Sequence, residues 1–154
     1  MKFIAAIAAL ACAAIVQAQT TMPPITNCAT GATDLTINSF TLAPYPLCVN
    51  QNVCATGTGQ LSTPVIEGAQ LSIIGRYLNK IVYTDSEDLC SLLAAQGFTC
   101  PIPVTMTSIT ACVLVKPTAP VGIPVDLQVQ ATNGNGHVLF CQASNGVYAA
   151  NCPS

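Results

Sequence analysis

The sequence predicts an all-β fold, an antiparallel sandwich of two sheets. Three observations point there. Eleven prolines and ten glycines are scattered along the 154 residues, and they break long helices. The apolar runs are short and rich in Val, Ile, Leu and Thr. One stretch alternates cleanly, with Ile123, Val125, Leu127 and Val129 set against Pro124, Asp126, Gln128 and Gln130. About seven such short strands separated by turn residues make a two-sheet sandwich.

The chain begins with Lys2, an apolar stretch over residues 3–16 and a small residue at Ala18. Residues 1–18 read as a secretory signal peptide, which leaves residues 19–154 as the domain. Within it, Leu35-Thr36-Ile37 alternates. Leu71-Ser72-Ile73 alternates and runs toward Tyr77, and Ile81-Val82-Tyr83 is a short apolar run. Residues 104–114 are rich in Thr and β-branched side chains. After the alternating strand comes Asn133-Gly134-Asn135-Gly136, a hairpin signal, because Asn and Gly tolerate the positive φ of tight turns. Val138-Leu139-Phe140 follows. The one helix expected covers residues 87–96, capped by Ser86, with Leu89, Leu92 and Leu93 as its buried stripe and Gly97 at its end.

Charge and cysteine content narrow the function. Lys and Arg total 4 and the net charge is −2, too little positive charge for a phosphate backbone. Half the residues are hydrophobic and 6% are charged, the reverse of a disordered chain. Cys12 leaves with the signal peptide. Cys28, Cys48, Cys54, Cys90, Cys100, Cys112, Cys141 and Cys152 remain, an even set that reads as four disulfides in a secreted chain. Their spacing alone leaves about a hundred pairings open. No close metal-finger spacing is present, so no metal site is expected.

Catalytic signals are weak. Asp85, Glu87 and Asp88 form the one acidic cluster, and they read as solvated acids at a helix N-terminus. His137 is the sole histidine, and no Gly-x-Ser-x-Gly elbow accompanies it. Paired cysteines offer no thiol nucleophile. Nucleotide fingerprints are missing, so neither an enzyme nor a cofactor is expected. Arg76 and Lys80 flank Tyr77, either as a solvated strand edge or against an anionic headgroup at a cavity rim.

Several motifs together resemble one family. Asp88-Leu89-Cys90, then nine residues, then Cys100-Pro101-Ile102 resembles its main signature. Pro46-Leu47-Cys48 through Cys54 resembles its early loop, and Glu67-Gly68-Ala69 resembles its fungal branch. Pro120-Val121-Gly122, the alternating strand, the Asn-Gly turn and Leu139-Phe140-Cys141 resemble its last hairpin. In these features the chain, from about Cys28 to Tyr148, resembles the ML (lipid-recognition) domain. That family includes the Niemann-Pick type C sterol carrier and fungal phosphatidylglycerol/phosphatidylinositol transfer proteins.

The resemblance implies an immunoglobulin-like sandwich holding a sterol or phospholipid between its sheets. It implies the disulfides Cys28–Cys141, Cys48–Cys54 and Cys90–Cys100, with Cys112–Cys152 left to pair. It turns the inward phase of the strands into an expected cavity wall: Leu71, Ile73, Tyr77, Ile81, Tyr83, Ile123, Val125, Leu127, Val129 and Ala131. A secreted or lumenal monomeric lipid carrier follows, in transient contact with a membrane or membrane protein. The competing expectation is a secreted interaction module with a packed core. The state of the space between the sheets separates the two.

Overall fold

The computed structural model describes residues 21–154; the expected signal segment, 1–18, lies outside the described residues. In chain order the elements are β1 (Ile25–Asn27), β2 (Leu35–Ala43), β3 (Leu47–Cys48), β4 (Asn52–Leu61), β5 (Gln70–Tyr77) and β6 (Lys80–Asp88). Then come α1 (Leu89–Ala94), β7 (Ser108–Leu114), β8 (Val125–Thr132), β9 (Val138–Val147) and β10 (Ala149–Ala150). A five-stranded sheet, β1-β9-β8-β5-β6, faces a three-stranded sheet, β2-β4-β7. All pairings within these two sheets are antiparallel. A short parallel pair, β3 with β10, lies beside them.

The elements form for local reasons. β8 keeps the alternation of its sequence, with Val125, Val129 and Ala131 buried and Asp126 exposed. The Asn-Gly run turns β8 into β9, and Asn133 anchors it. Buried Asn133 accepts from the Ile66 and Gly134 N–H groups and donates to the Pro64 carbonyl at 2.9 Å. The helix is shorter than the expected 87–96. β6 stays paired with β5 as far as Asp88, which lies opposite Gln70, so Glu87 is a strand residue. Asp88, not Ser86, is the cap; its carboxylate accepts from the Ser91 N–H at 2.7 Å. Gly97 ends the helix at φ 88°, a conformation glycine adopts without steric cost.

Leu89 and Leu93 of α1 pack with Val65, Leu71, Ile102 and Leu139 in a core at the end of the sandwich that carries the helix. Burying each such large apolar side chain contributes about 1.5–3 kcal/mol.

Two of the four expected disulfides form as expected and two do not. Cys28 joins Cys141 and Cys90 joins Cys100. Cys48 pairs with Cys152 and Cys54 with Cys112, in place of Cys48–Cys54 and Cys112–Cys152. Strand register is the reason. Cys54 on β4 stands directly opposite Cys112 on β7, with Cα atoms 4.0 Å apart. Cys48 pairs in register with Ala150, two residues before Cys152.

Candidate ligand cavity

Between the two sheets lies a cavity of about 160 Å³. Its wall on the five-stranded side comes from Leu71 and Ile73 of β5, Tyr83 of β6, Val125, Leu127 and Val129 of β8, and Leu139 and Val147 of β9. The opposite wall is made by Leu35, Ile37, Phe40 and Leu42 of β2, small residues of β4, and Ile109, Ala111 and Val113 of β7. Among the described residues no charged side chain lines it, and the only polar ones that do are Tyr83 and Thr107.

The space exists because the three-stranded sheet presents almost no side chains at its centre. Ala55, Gly57 and Gly59 of β4 and Ala111 of β7 face inward. The two glycines differ in role. A Cβ on Gly59 would sit 2.1 Å from the Thr36 carbonyl oxygen, so close approach of β2 requires that glycine. A Cβ on Gly57 would rest in ordinary contact with Phe40 at 3.7 Å, so a side chain can be added there without a clash at its first atom.

Of the residues expected on the wall, Leu71, Ile73, Tyr83, Val125, Leu127 and Val129 lie there. Four do not. A bulge between Gly75 and Arg76 shifts the β5–β6 register, so Ile81 stands opposite Arg76 and is 58% exposed. Strict alternation carried past that bulge gives the wrong face. Tyr77 pairs with Lys80 at the hairpin tip, beyond the cavity. Ile123 belongs to the connection before β8. Ala131 is fully buried in the core near α1.

One edge of the sandwich carries a polar clasp. Asp85 is not a solvated acid; its side chain is fully buried on β6. It accepts from the Ser86 N–H at 2.8 Å and from the Lys116 ammonium, which reaches across from the segment after β7. Lys116 also lies 3.7 Å from Glu87. The Lys116 backbone N–H donates to the Tyr83 hydroxyl at 3.4 Å. Burial, against the pull of that hydrogen bond, holds the Tyr83 phenol above its ordinary pKa. The clasp thus links β6 of one sheet to the chain leaving β7 of the other, just outside the apolar wall.

Residues 23–145 match the ML domain. The chain belongs to the ML-domain family. Its fold is similar to that of a Niemann-Pick type C2 protein from the Japanese carpenter ant, with a TM-score of 0.60 at 11% identity over 84% of this chain and 99% of that one. Chicken MD-1 complexed with lipid IVa is also similar, at a TM-score of 0.46 and 10% identity over 82% of this chain and 99% of that one. No curated protein matches the chain in sequence.

In this ML domain the wall residues that sequence reasoning overlooked are mostly those of β2, β4 and β7. The signal for β4 is present as Ala55-Thr56-Gly57-Thr58-Gly59, an alternation of small and β-branched residues. Counting apolar side chains passes over it. Glu67 lies near Cys90 and Cys100, but those sulfurs are joined and leave no thiolate for a metal.

Proposed function

We propose that this ML domain is a secreted, non-enzymatic lipid-binding and lipid-transfer protein that holds the apolar part of a sterol or phospholipid between its sheets. The observation that carries the reading is the uncharged wall of the cavity. An apolar chain gains about 0.8 kcal/mol per methylene buried there, whereas a charged ligand group left unpaired inside costs several kcal/mol. Four disulfides suit an oxidising compartment.

Capacity sets a requirement on this reading. An engineered cavity of about 150 Å³ holds one benzene, so a sterol or a full acyl chain needs a wider gap than about 160 Å³. None of the four disulfides joins the five-stranded sheet to the three-stranded one. Along the β6–β7 edge the Lys116–Asp85 clasp and α1 span the two sheets, and in this reading the sheets part there to admit the ligand.

Native mass spectrometry of the protein secreted by a eukaryotic host tests the reading. A lipid mass is expected on the folded protein, and the delipidated form should take up a fluorescent fatty acid or sterol at one per chain. A bare polypeptide mass together with no uptake would instead mark an interaction module.

A further inference from the structure

We propose that the β5–β6 hairpin is a membrane-docking element, which places Leu78 and Ile81 in the headgroup region of an anionic lipid bilayer. Tyr77 and Lys80 close this hairpin as a pair and leave Leu78 and Asn79 as its two turn residues. Both have positive φ, 50° and 63°. Such turns favour Asn and Gly. Asn79 suits the conformation; Leu78 does not, because a side chain at positive φ is crowded by the backbone. Leu78 is also 77% exposed, and Ile81 beside it is 58% exposed. A large apolar residue in a costly conformation, turned to water, gains nothing from the folded protein. In the interface of a bilayer it is solvated.

The charges agree with that orientation. Arg76, Lys80 and Lys116 are all the Lys and Arg among the described residues, and Arg76 and Lys80 lie at the hairpin itself. Lys116 is engaged by Asp85 and Glu87. Among the described residues Arg76 and Lys80 form no salt bridge. Arg76 donates to Gln128 at 3.5 Å, and Asp126 is its cross-strand neighbour. Asp34, Glu67 and Asp88 lie at the opposite end, beside the starts of β2 and β5 and the finish of β6. An anionic surface therefore attracts the hairpin end and repels the other. Leu114, 47% exposed at the finish of β7, borders the cavity and offers a further apolar contact at its rim.

The test is co-flotation of residues 19–154 with phosphatidylcholine vesicles, with and without phosphatidylglycerol, at low and high salt. The parent is expected to bind the anionic vesicles preferentially and to release as salt rises. Arg76→Ser and Lys80→Ser should each weaken binding about fivefold. Leu78→Asn should weaken it about tenfold while keeping or raising the unfolding midpoint, because Asn tolerates the turn. Uptake of a fluorescent fatty acid without vesicles should be unchanged in all three variants. A parent that binds both vesicle types equally, or a Leu78→Asn variant that floats like the parent, would overturn the proposal. So would a parent that ignores vesicles but sediments as a dimer dispersed by Leu78→Asn, since the hairpin would then meet a second copy. Fatty-acid uptake that fails while vesicle binding persists would count against the lipid-carrier reading alone.

Discussion

Tyr83 is where the apolar interior meets the few charges of this protein. Its ring lines the cavity and its hydroxyl faces Lys116. Burial raises its pKa first of all. The Lys116 ammonium is also raised, chiefly by its hydrogen bond to Asp85. Both groups therefore hold their protons more tightly in the folded state than in the unfolded one. As pH climbs past their ordinary values the unfolded chain gives up protons first, so stability falls with rising pH. The urea midpoint should be level between about pH 7 and 9 and drop beyond about 10. Tyr83→Phe and Lys116→Met should each flatten that alkaline drop. A parent midpoint unchanged to about pH 11 would mean that neither group is held as described. Sequence alone could not place Asp85 in this clasp. Its neighbours Glu87 and Asp88 read as solvated, and the partner that buries it stands 31 residues away on another element.

At the level of the element, the strands differ in how plainly they announce themselves. β8 and the first half of β5 have large apolar residues on one face and pair with each other without a register shift, so Leu71, Ile73, Val125, Leu127 and Val129 are legible by alternation. β6 breaks the pattern at its bulge, and Ile81 turns outward. β4 is the central strand of its sheet, yet its inward residues are Ala55, Gly57 and Gly59, which no count of hydrophobic side chains finds. That strand gives a sharp test. Gly57→Val projects a side chain from the cavity wall beside Phe40 and replaces a residue that weakens strands by about 0.5–1 kcal/mol. Stability should hold or rise, while fatty-acid affinity falls at least about tenfold, or roughly 1.4 kcal/mol. Gly59→Ala should behave oppositely, losing about 1–3 kcal/mol of stability through its clash with the Thr36 carbonyl. If Gly57→Val binds like the parent, the ligand does not occupy this space.

For the molecule as a whole, one disulfide lies within the three-stranded sheet, one ties β9 to the segment after β1, and two lie outside both main sheets. Cys28–Cys141 and Cys48–Cys152 close separations of 113 and 104 residues, and Cys90–Cys100 closes 10. On the chain-entropy account the two long closures should cost nearly the same to lose. Each should cost about 2 kcal/mol more than the short one. Urea unfolding of the three paired Cys→Ala variants measures this, and equal midpoints for all three would contradict it. The short Cys90–Cys100 bridge is legible only through the family resemblance of the residues around it. Cys54–Cys112 is not legible, because it depends on the register of strands 58 residues apart, a property of the assembled sheet. The sandwich itself was legible from turn residues and alternation, whereas its hollowness depends on small side chains from several strands meeting at one place. That hollowness has a mechanical consequence. Space in a folded protein that unfolding eliminates makes the unfolded state the smaller one, and hydrostatic pressure favours the smaller state. With about 160 Å³ unfilled, the volume decrease should amount to tens of mL/mol. High-pressure fluorescence should find the lipid-free protein unfolding at markedly lower pressure than the loaded one. Gly57→Val, partly filled by its own side chain, should fall between them.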